Sequence, residues 1–397
     1  MFIGAYAPES TYPMSAVNRI SAAFLYFFRQ ESAGGILLLL CAVIAMILAN
    51  SPLAGWYEHL LHMTIPVPGL SMSLLHWIND GLMVIFFFVV GMEIKREFLY
   101  GELKSLSATL LPIAAAAGGM IVPALIYFAF NAGLPTLSGW AIPMSTDIAF
   151  SLGVLAFAAK GVPKSVAVFL TALAIVDDLG GIVVLALFYS DTPSFTALGA
   201  AAVIAAALYL ASRKGVHSPL VYLAGGIALW FAFHHAGVHP TVAGVLVGFL
   251  TPAGTEETQH EAPLSRWEHA LTPWNAFLIM PVFALANAGI PLSADSFVHL
   301  SSPIGLGIIG GLFLGKPLGI CLMVSLFVRT GLARMPEGVL PAHFLGAGVL
   351  AGIGFTMSLF LAALAFSSPE DLITAKAAIV TASILSGIVG TLIFRFR

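Results

Sequence analysis

The chain has 397 residues, of which 59% are apolar and only 9% charged, and its formal net charge at pH 7 is −3. This composition leaves too little polar surface to cover a soluble protein of this size, and the small net charge gives no reason to expect nucleic-acid binding. Repeated apolar stretches separated by a few polar residues predict one helical domain in a membrane.

The first 32 residues precede the apolar stretches and carry Arg19 and Arg29. The mixed segment at residues 20–28 predicts a short amphipathic helix at the membrane surface, on the cytoplasmic side.

Windows of about 20 residues identify twelve apolar spans after this segment. They cover residues 33–50, 73–97, 107–130, 139–159, 165–188, 195–212, 217–235, 239–250, 271–288, 305–328, 342–366 and 372–394. The eighth is too short to cross a bilayer unless it tilts or its flanks extend it. The sequence thus predicts an all-α polytopic membrane protein with twelve transmembrane helices, in which residues 1–397 form a single transmembrane domain.

The basic residues predict how these spans are oriented. Almost all of them lie at alternate connections or at the two ends of the chain, namely Arg19, Arg29, Lys95, Arg96, Lys104, Lys160, Lys164, Arg213, Lys214, Arg266, Arg329, Arg334, Arg395 and Arg397. Because basic loops stay on the cytoplasmic side, both termini are predicted to be cytoplasmic.

The connection at residues 51–72 is expected on the outer side. Its stretch 63–70 is rich in turn-forming residues, and a small hairpin and a plain loop fit it equally well. Cys41 and Cys321 both fall inside apolar spans, where they indicate neither a disulfide nor a metal site.

Two consecutive acids lie halfway along the fifth span. A charged side chain at mid-bilayer costs at least ~2.5–3.5 kcal/mol, so Asp177 and Asp178 indicate a function. Neighbouring residues on a helix point about 100° apart, and the two carboxylates are therefore expected to have different roles.

Two further charges lie at mid-span. Lys316, halfway along the tenth span, needs an acid or helix carboxyl ends to offset its charge. Asp147 follows Pro143, Ser145 and Thr146, which interrupt the fourth span. The two hydroxyl residues are expected to cap a helix that restarts after them.

The eleventh span has a comparable interruption at residues 351–358. Spans 3–5 and 10–12 thus each contain a broken middle helix, and the odd offset between the two triplets predicts opposite orientation. This is the pattern of an inverted-topology repeat with a site between the broken helices. Asp147 is then expected to offset the helix amino ends there, and Lys316 the carboxyl ends.

At this point the chain resembles the NhaA family of bacterial Na+/H+ antiporters, from the second span to the eleventh. The resemblance rests on six segments: WINDG (77–81), GMEIKRE (91–97), STDIAF (145–150), AIVDDLG (174–180), GKPLG (315–319) and GIGFTMS (352–358).

The resemblance implies site residues. It makes Asp178 the leading Na+ ligand, with Asp177 sharing the site or pairing with Lys316, and with Thr146 and Asp147 at the crossing of the broken helices. Gly352, Gly354 and Thr356 belong to the second interruption. The resemblance also places Glu93, Arg96, Glu97 and Glu268 near a cytoplasmic funnel at which the family adjusts its activity to pH. It groups His239 with these residues as a histidine linked to the pH response. Thr272 departs from the family, which has a second histidine there. A homodimer built partly through the outer hairpin is also implied.

The expected mechanism is electrogenic, pH-regulated exchange of Na+ or Li+ for an excess of protons across the inner membrane. Na+ prefers oxygen ligands, and burial favours the neutral form of a carboxyl, so the same oxygens can hold either Na+ or a proton. Neither a cofactor nor enzymatic activity is expected.

The main alternative is a Na+-coupled organic-solute symporter with a related broken-helix fold. An intramembrane aspartyl protease is disfavoured because the glycine-flanked second aspartate of such enzymes is missing, and a passive channel because buried titratable groups would block conduction.

Overall fold

A computed structural model describes residues 31–67, 70–104, 106–158, 162–190, 194–292, 299–335 and 338–396. The amphipathic helix predicted at residues 20–28 lies outside these residues. The described part is almost entirely helical, because its long apolar segments can satisfy their backbone hydrogen bonds in a membrane only within a helix.

The helices are α1 (Glu31–Ala49), α2 (Ala54–His62), α3 (Leu74–Tyr100), α4 (Leu106–Asn131), α5 (Ile148–Ala158), α6 (Lys164–Phe188), α7 (Phe195–Arg213), α8 (Pro219–Ala236), α9 (Val242–Leu250), α10 (Pro263–Asn287), α11 (Pro303–Arg329), α12 (Pro341–Ala351), α13 (Phe355–Ala365) and α14 (Pro369–Arg395). Short 3-10 helices cover Glu102–Lys104, Pro135–Met144 and His299–Ser301. Three of the long helices contain a π-helical turn, at Trp77–Leu82 in α3, Asn275–Ile279 in α10 and Gly310–Gly315 in α11.

Two strands follow α2. β1 (Thr64–Val67) and β2 (Leu70–Ser73) pair antiparallel, with Thr64 opposite Ser73 and Val67 opposite Leu70. The residues that the sequence left open between a hairpin and a plain loop thus carry a two-stranded ladder. β2 leads directly into α3, where Ser73 Oγ accepts a hydrogen bond from His76 N and so caps the helix.

Eight of the described helices are long and apolar enough to cross a membrane, namely α3, α4, α6, α7, α8, α10, α11 and α14. Three bent pairs raise the number to as many as eleven: α1 with α2 at 112°, Pro135–Met144 with α5 at 45°, and α12 with α13 at 45°. The predicted eighth span coincides with α9, whose 9 residues are too short to cross a hydrocarbon core of about 30 Å. The chain is therefore a multi-pass membrane protein, and twelve crossings remain a prediction.

Close packing of α4 against α11 places the middle of α11 in the core. A Cβ atom added to Gly118 would lie 2.2 Å from Gly319 O, and one added to Gly319 would lie 2.0 Å from Gly118 O. Only glycine at both positions permits this approach, which is the small-residue packing found between membrane helices. Lys316, one turn before Gly319, is fully buried as a result.

Candidate ion-binding site at the broken helices

The two interrupted segments contact each other directly. The backbone N–H of Asp147 donates to Ile353 O at 2.7 Å, and Thr146 Oγ1 donates to Ala351 O at 2.9 Å. Backbone groups that the breaks leave unpaired within their own helices are therefore satisfied across the crossing.

Asp147 caps two helices at once. Its Oδ1 accepts the backbone N–H of Phe150 at 3.0 Å, in the first turn of α5. Its Oδ2 accepts the backbone N–H of Thr356 at 3.1 Å and also the Thr356 hydroxyl, in the first turn of α13. The carboxylate thus lies where two helix amino ends concentrate positive potential.

The predicted capping role of Ser145 and Thr146 is wrong, because α5 begins at Ile148 and Asp147 is the residue in capping position. The hydroxyl of Ser145 instead lies 3.1 Å from that of Ser358. Ser358 also donates to Ile142 O at 2.9 Å, so both hydroxyls lie at the end of the first half of the broken fourth span.

Lys316 pairs with an acid, Asp177. Its Nζ lies 2.6 Å from Asp177 Oδ2 and 2.9 Å from Thr146 Oγ1, and the side chains of Lys316 and Asp177 are both completely buried. Three helical elements therefore meet at one ammonium group: α11, α6 and the break before α5.

Asp178 lies in a different environment from its neighbour. It is 2% exposed, and its Oδ1 is buried without a hydrogen-bond partner among the described residues. It lines a small cavity of about 10 Å³, which is close to the space that one water molecule needs. We name this space the aspartate cavity; it is lined by Phe87, Ser145, Asp177, Asp178, Gly181, Ile182, Leu185, Met357, Phe360 and Leu361.

The contrast between the two aspartates follows from helix geometry. Since consecutive side chains on α6 diverge by about 100°, only Asp177 reaches Lys316, although both carboxylates line the aspartate cavity. In this arrangement Lys316 offsets Asp177 and two helix amino ends offset Asp147, but no comparable contact of a described residue offsets Asp178.

A second charged cluster joins α3 to α10. Arg96 contacts Glu97 Oε1 at 2.9 Å and Glu268 Oε1 at 3.2 Å. Glu93 lies close enough to both Glu268 and Asp178 to interact electrostatically with each. Thr272 lies one turn beyond Glu268 and donates to its backbone carbonyl at 2.8 Å. The cluster is therefore connected to the buried aspartates through Glu93.

His239 does not belong to this cluster, although the sequence grouped it with the funnel residues. Its Nε2 lies 3.7 Å from Asp80 Oδ1, and its Nδ1 lies 2.7 Å from Thr241 Oγ1. Asp80 precedes Arg96 on α3 by about 24 Å of helix rise. His239 therefore lies toward the opposite end of the bundle.

Several residues of this region carry no sequence signal of their own. Ser358, Phe87 and Phe360 line the crossing or the cavity, yet a serine or phenylalanine in an apolar helix is ordinary. Asp80 has a signal, because it is an acid within a predicted span and part of the family segment WINDG (77–81).

Comparison with known proteins places the chain in a family. The sequence model of a family described as Na+/H+ antiporter 1 matches residues 26–394. The chain is 50% identical over 387 residues to Na(+)/H(+) antiporter NhaA 2 of Clostridium beijerinckii, covering 96% of this chain and 95% of that protein. It is 48% identical over 379 residues to Na(+)/H(+) antiporter NhaA of Escherichia coli O1:K1 / APEC, covering 94% of this chain and 97% of that protein.

A solved structure shares the fold. The sodium proton antiporter MjNhaP1 from Methanocaldococcus jannaschii matches with a TM-score of 0.55 at 17% sequence identity, over 95% of this chain and 100% of that one. The resemblance seen in the six sequence segments is thus confirmed over nearly the whole length: the chain belongs to the NhaA family of bacterial Na+/H+ antiporters.

Proposed function

We propose that this protein exchanges Na+, and also Li+, for protons, and that the two kinds of ion compete for the carboxylate of Asp178 with the help of Asp177 and Thr146. The names of its relatives support Na+/H+ antiport, and the geometry of α6 supports the assignment of the site.

The observation that carries the proposal is the buried Asp178 Oδ1, which faces a cavity and accepts no hydrogen bond from a described residue. Leaving a carboxylate in this state is costly unless a cation or a proton occupies it. Its two low-energy states are thus the proton-loaded and the cation-loaded form, as an exchanger requires.

Oxygen atoms suited to Na+ surround this point. Ser145 and Asp177 line the same cavity. Thr146 Oγ1 donates to Ala351 O and accepts from Lys316, so Na+ bound at its remaining lone pair would lie beside the Lys316 ammonium and weaken that contact. Entry of one Na+ therefore disturbs both the proton on Asp178 and the Lys316–Asp177 pair, and we propose that more than one proton leaves for each cation, which makes the exchange electrogenic.

Alternating access completes the proposal. If only the proton-loaded or the cation-loaded site reorients, a proton gradient drives Na+ outward with no other energy source.

The test is Na+-driven dissipation of ΔpH in proteoliposomes with Na+ as the only added solute. We expect Asp178→Asn to abolish exchange, because an amide cannot alternate between a proton and a cation. Asp371→Asn is the matched control, since it makes the same change in the first turn of α14, and it should exchange like wild type. Full activity of Asp178→Asn would overturn the proposal.

The same assay separates antiport from the Na+-coupled solute symport that the sequence left as the alternative. The comparisons do not favour symport. An antiporter dissipates ΔpH with Na+ alone, whereas a symporter requires its organic solute.

We further propose that the cluster of Glu93, Arg96, Glu97 and Glu268 regulates exchange by pH. Its support is that Arg96 forms ion pairs with Glu97 of α3 and Glu268 of α10. In addition, Glu93 lies within electrostatic range of both Glu268 and Asp178. A change of charge in the cluster is thereby felt at the ion site. His239 is proposed as a separate pH-responsive group, since it lies beside Asp80.

The remaining proposals concern topology and assembly. We propose twelve crossings of the bacterial inner membrane with both termini cytoplasmic, and inverted repeats formed by spans 3–5 and 10–12. The two broken spans, Pro135–Met144 with α5 and α12 with α13, both bend by 45°, which supports the repeat.

We also propose a homodimer that uses the exposed strand edges of β1 and β2. Cysteine labelling from each side of sealed vesicles tests the topology, and the mass of the purified protein in detergent tests the dimer.

A further inference from the structure

An apolar groove of about 1230 Å³ runs along the side of the bundle. α5 packs against both α1 and α14 and forms the floor of the groove between these two helices. We name it the lateral groove; it is lined by residues of α1, α5, α13 and α14, among them Gly35, Phe150, Phe157, Phe355, Gly387 and Thr391. Small-molecule sites usually have about 300–1,000 Å³, so the groove is large enough for a lipid acyl chain.

The lateral groove faces the hydrocarbon of the membrane. Its residues on α1 extend from Gly35 to Ser51, which is about 24 Å of helix rise in a hydrocarbon core of about 30 Å. Large apolar side chains within the groove are exposed, for example Ile47 at 61%, Phe157 at 77% and Ile384 at 56%. Lipid chains therefore fill the groove more favourably than water does.

The deepest part of the groove lies against the crossing of the broken helices. Phe150 and Phe355 line it, and their rings contact each other at a centroid distance of 5.6 Å. The backbone N–H of Phe150 donates to Asp147 Oδ1, and that of Thr356, which follows Phe355, donates to Asp147 Oδ2. A molecule bound in the groove thus contacts the residues that position Asp147.

A basic residue lies at the predicted cytoplasmic end of the groove. Arg395 is exposed and follows the lining residue Thr391 by four positions, so the two lie on the same face of α14. Ser383, whose hydroxyl accepts from Phe355 N at 3.3 Å, lies about 18 Å of helix rise before Arg395. One leaflet accounts for about half of the hydrocarbon core, so an acyl chain that starts at Arg395 ends near Phe355. Arginine binds phosphate through charge-assisted hydrogen bonds.

From this geometry we infer that an anionic phospholipid of the cytoplasmic leaflet binds in the lateral groove, with its phosphate at Arg395 and one acyl chain against Phe150 and Phe355. The bound chain stabilises the first turns of α5 and α13, which hold Asp147 at the crossing. The assignment to the cytoplasmic leaflet rests on the proposed topology, but the binding itself can be tested without transport.

The test uses phosphatidylglycerol with a photoreactive diazirine near the end of one acyl chain. It is added to phosphatidylcholine vesicles that contain the full-length protein, and after illumination mass spectrometry locates the labelled segments. We expect labelling at the first turns of α5 and α13. Phosphatidylcholine that carries the same diazirine should label them roughly fivefold less, because its zwitterionic headgroup is attracted less to arginine.

Two variants weaken the site in different ways. A Cβ atom at Gly387 meets only Ile353 Cδ1, at 3.8 Å, so Gly387→Leu extends into the groove and should lower labelling roughly tenfold by occupying the path of the chain. Gly199→Leu in α7 is the matched control, since a Cβ atom there meets no other atom within 4 Å. Arg395→Gln should lower labelling by phosphatidylglycerol roughly fivefold, whereas Arg213→Gln at the carboxyl end of α7 should leave it unchanged.

Unchanged labelling in the folded Gly387→Leu and Arg395→Gln variants, or equal labelling by the two lipids, would overturn the inference. Phe157→p-benzoylphenylalanine identifies the occupant directly, because residue 157 lines the groove. An adduct with phospholipid is expected, and an adduct with residues 1–30 or with a second copy of the chain in its place would also overturn the inference. The same labelling is expected in Asp178→Asn, where the proposed exchange is lost, so a failure of the lipid site is distinguishable from a failure of the proposed function.

Discussion

Lys316 Nζ lies 2.6 Å from Asp177 Oδ2, and neither side chain has any exposed surface. The two residues come from α11 and α6, which are far apart in sequence, so the pair also ties together the two halves of the bundle that contain the interrupted helices. It therefore affects both the ion site and the stability of the fold.

The first prediction concerns this pair. Lys316→Ala leaves Asp177 buried without its counter-charge, and loss of one partner of a buried pair costs about 3–5 kcal/mol. We expect a clear fall in melting temperature in detergent. Lys214→Ala, at the exposed carboxyl end of α7, is the control and should melt like wild type.

A double variant sharpens the prediction about the pair. Lys316→Gln with Asp177→Asn removes both charges and should recover part of the lost stability. Wild-type stability of Lys316→Ala would contradict this account of the pair.

The second prediction concerns the hydroxyl of Thr356. Thr356→Val keeps the shape of the side chain but removes a donor to Asp147 Oδ2, which retains the backbone N–H of residue 356. Loss of a hydrogen bond to a buried charged group costs about 1.5–3 kcal/mol. A fall in melting temperature and a slower exchange rate are expected.

Thr374→Val is the matched control for this prediction. Among the described residues, the Thr374 hydroxyl donates only to Glu370 O within α14, so the cost should be smaller. Equal losses in the two variants would show that Asp147 does not depend on Thr356.

The third prediction concerns the break between α12 and α13. A Cβ atom at Gly352 would lie 2.4 Å from Leu312 O, a backbone atom that cannot rotate away. Gly352→Ala is expected to lower both the melting temperature and the exchange rate, because the interruption must shift away from α11.

Gly199→Ala in α7 is the control for the break, since a Cβ atom there meets no other atom within 4 Å. It should be neutral or stabilising by up to about 1 kcal/mol. If Gly352→Ala behaves in the same way, the close approach does not constrain the site.

The fourth prediction concerns pH regulation. Glu268→Gln removes the carboxylate that Arg96 contacts across α3 and α10. If the cluster regulates exchange, the activity profile measured from about pH 6 to about pH 9 should shift along the pH axis while the maximum rate is kept. Glu261 is an exposed residue of the preceding loop, and Glu261→Gln should leave the pH profile unchanged. An unshifted profile in both variants would show that the cluster does not regulate exchange.

The sequence alone predicted much of this protein. Apolar stretches of helical length allow no other backbone arrangement in a membrane, so the helices follow from composition. The interruptions near Pro143 and at Gly352–Gly354 were visible because proline and glycine break helices. Asp147, Asp177, Asp178 and Lys316 were conspicuous because charge at mid-span is expensive. The different contacts of Asp177 and Asp178 also agree with helix geometry, since neighbours point apart.

Only the tertiary structure decided which groups contact these buried charges. Which acid meets Lys316 and where His239 lies depend on contacts between segments more than a hundred residues apart, and local pattern carries no information about such contacts. Phe360 illustrates the limit, because one phenylalanine among many apolar residues becomes distinctive only when packing places it in the wall of the aspartate cavity. The sequence determined which groups the membrane must compensate, and packing determined which atoms compensate them.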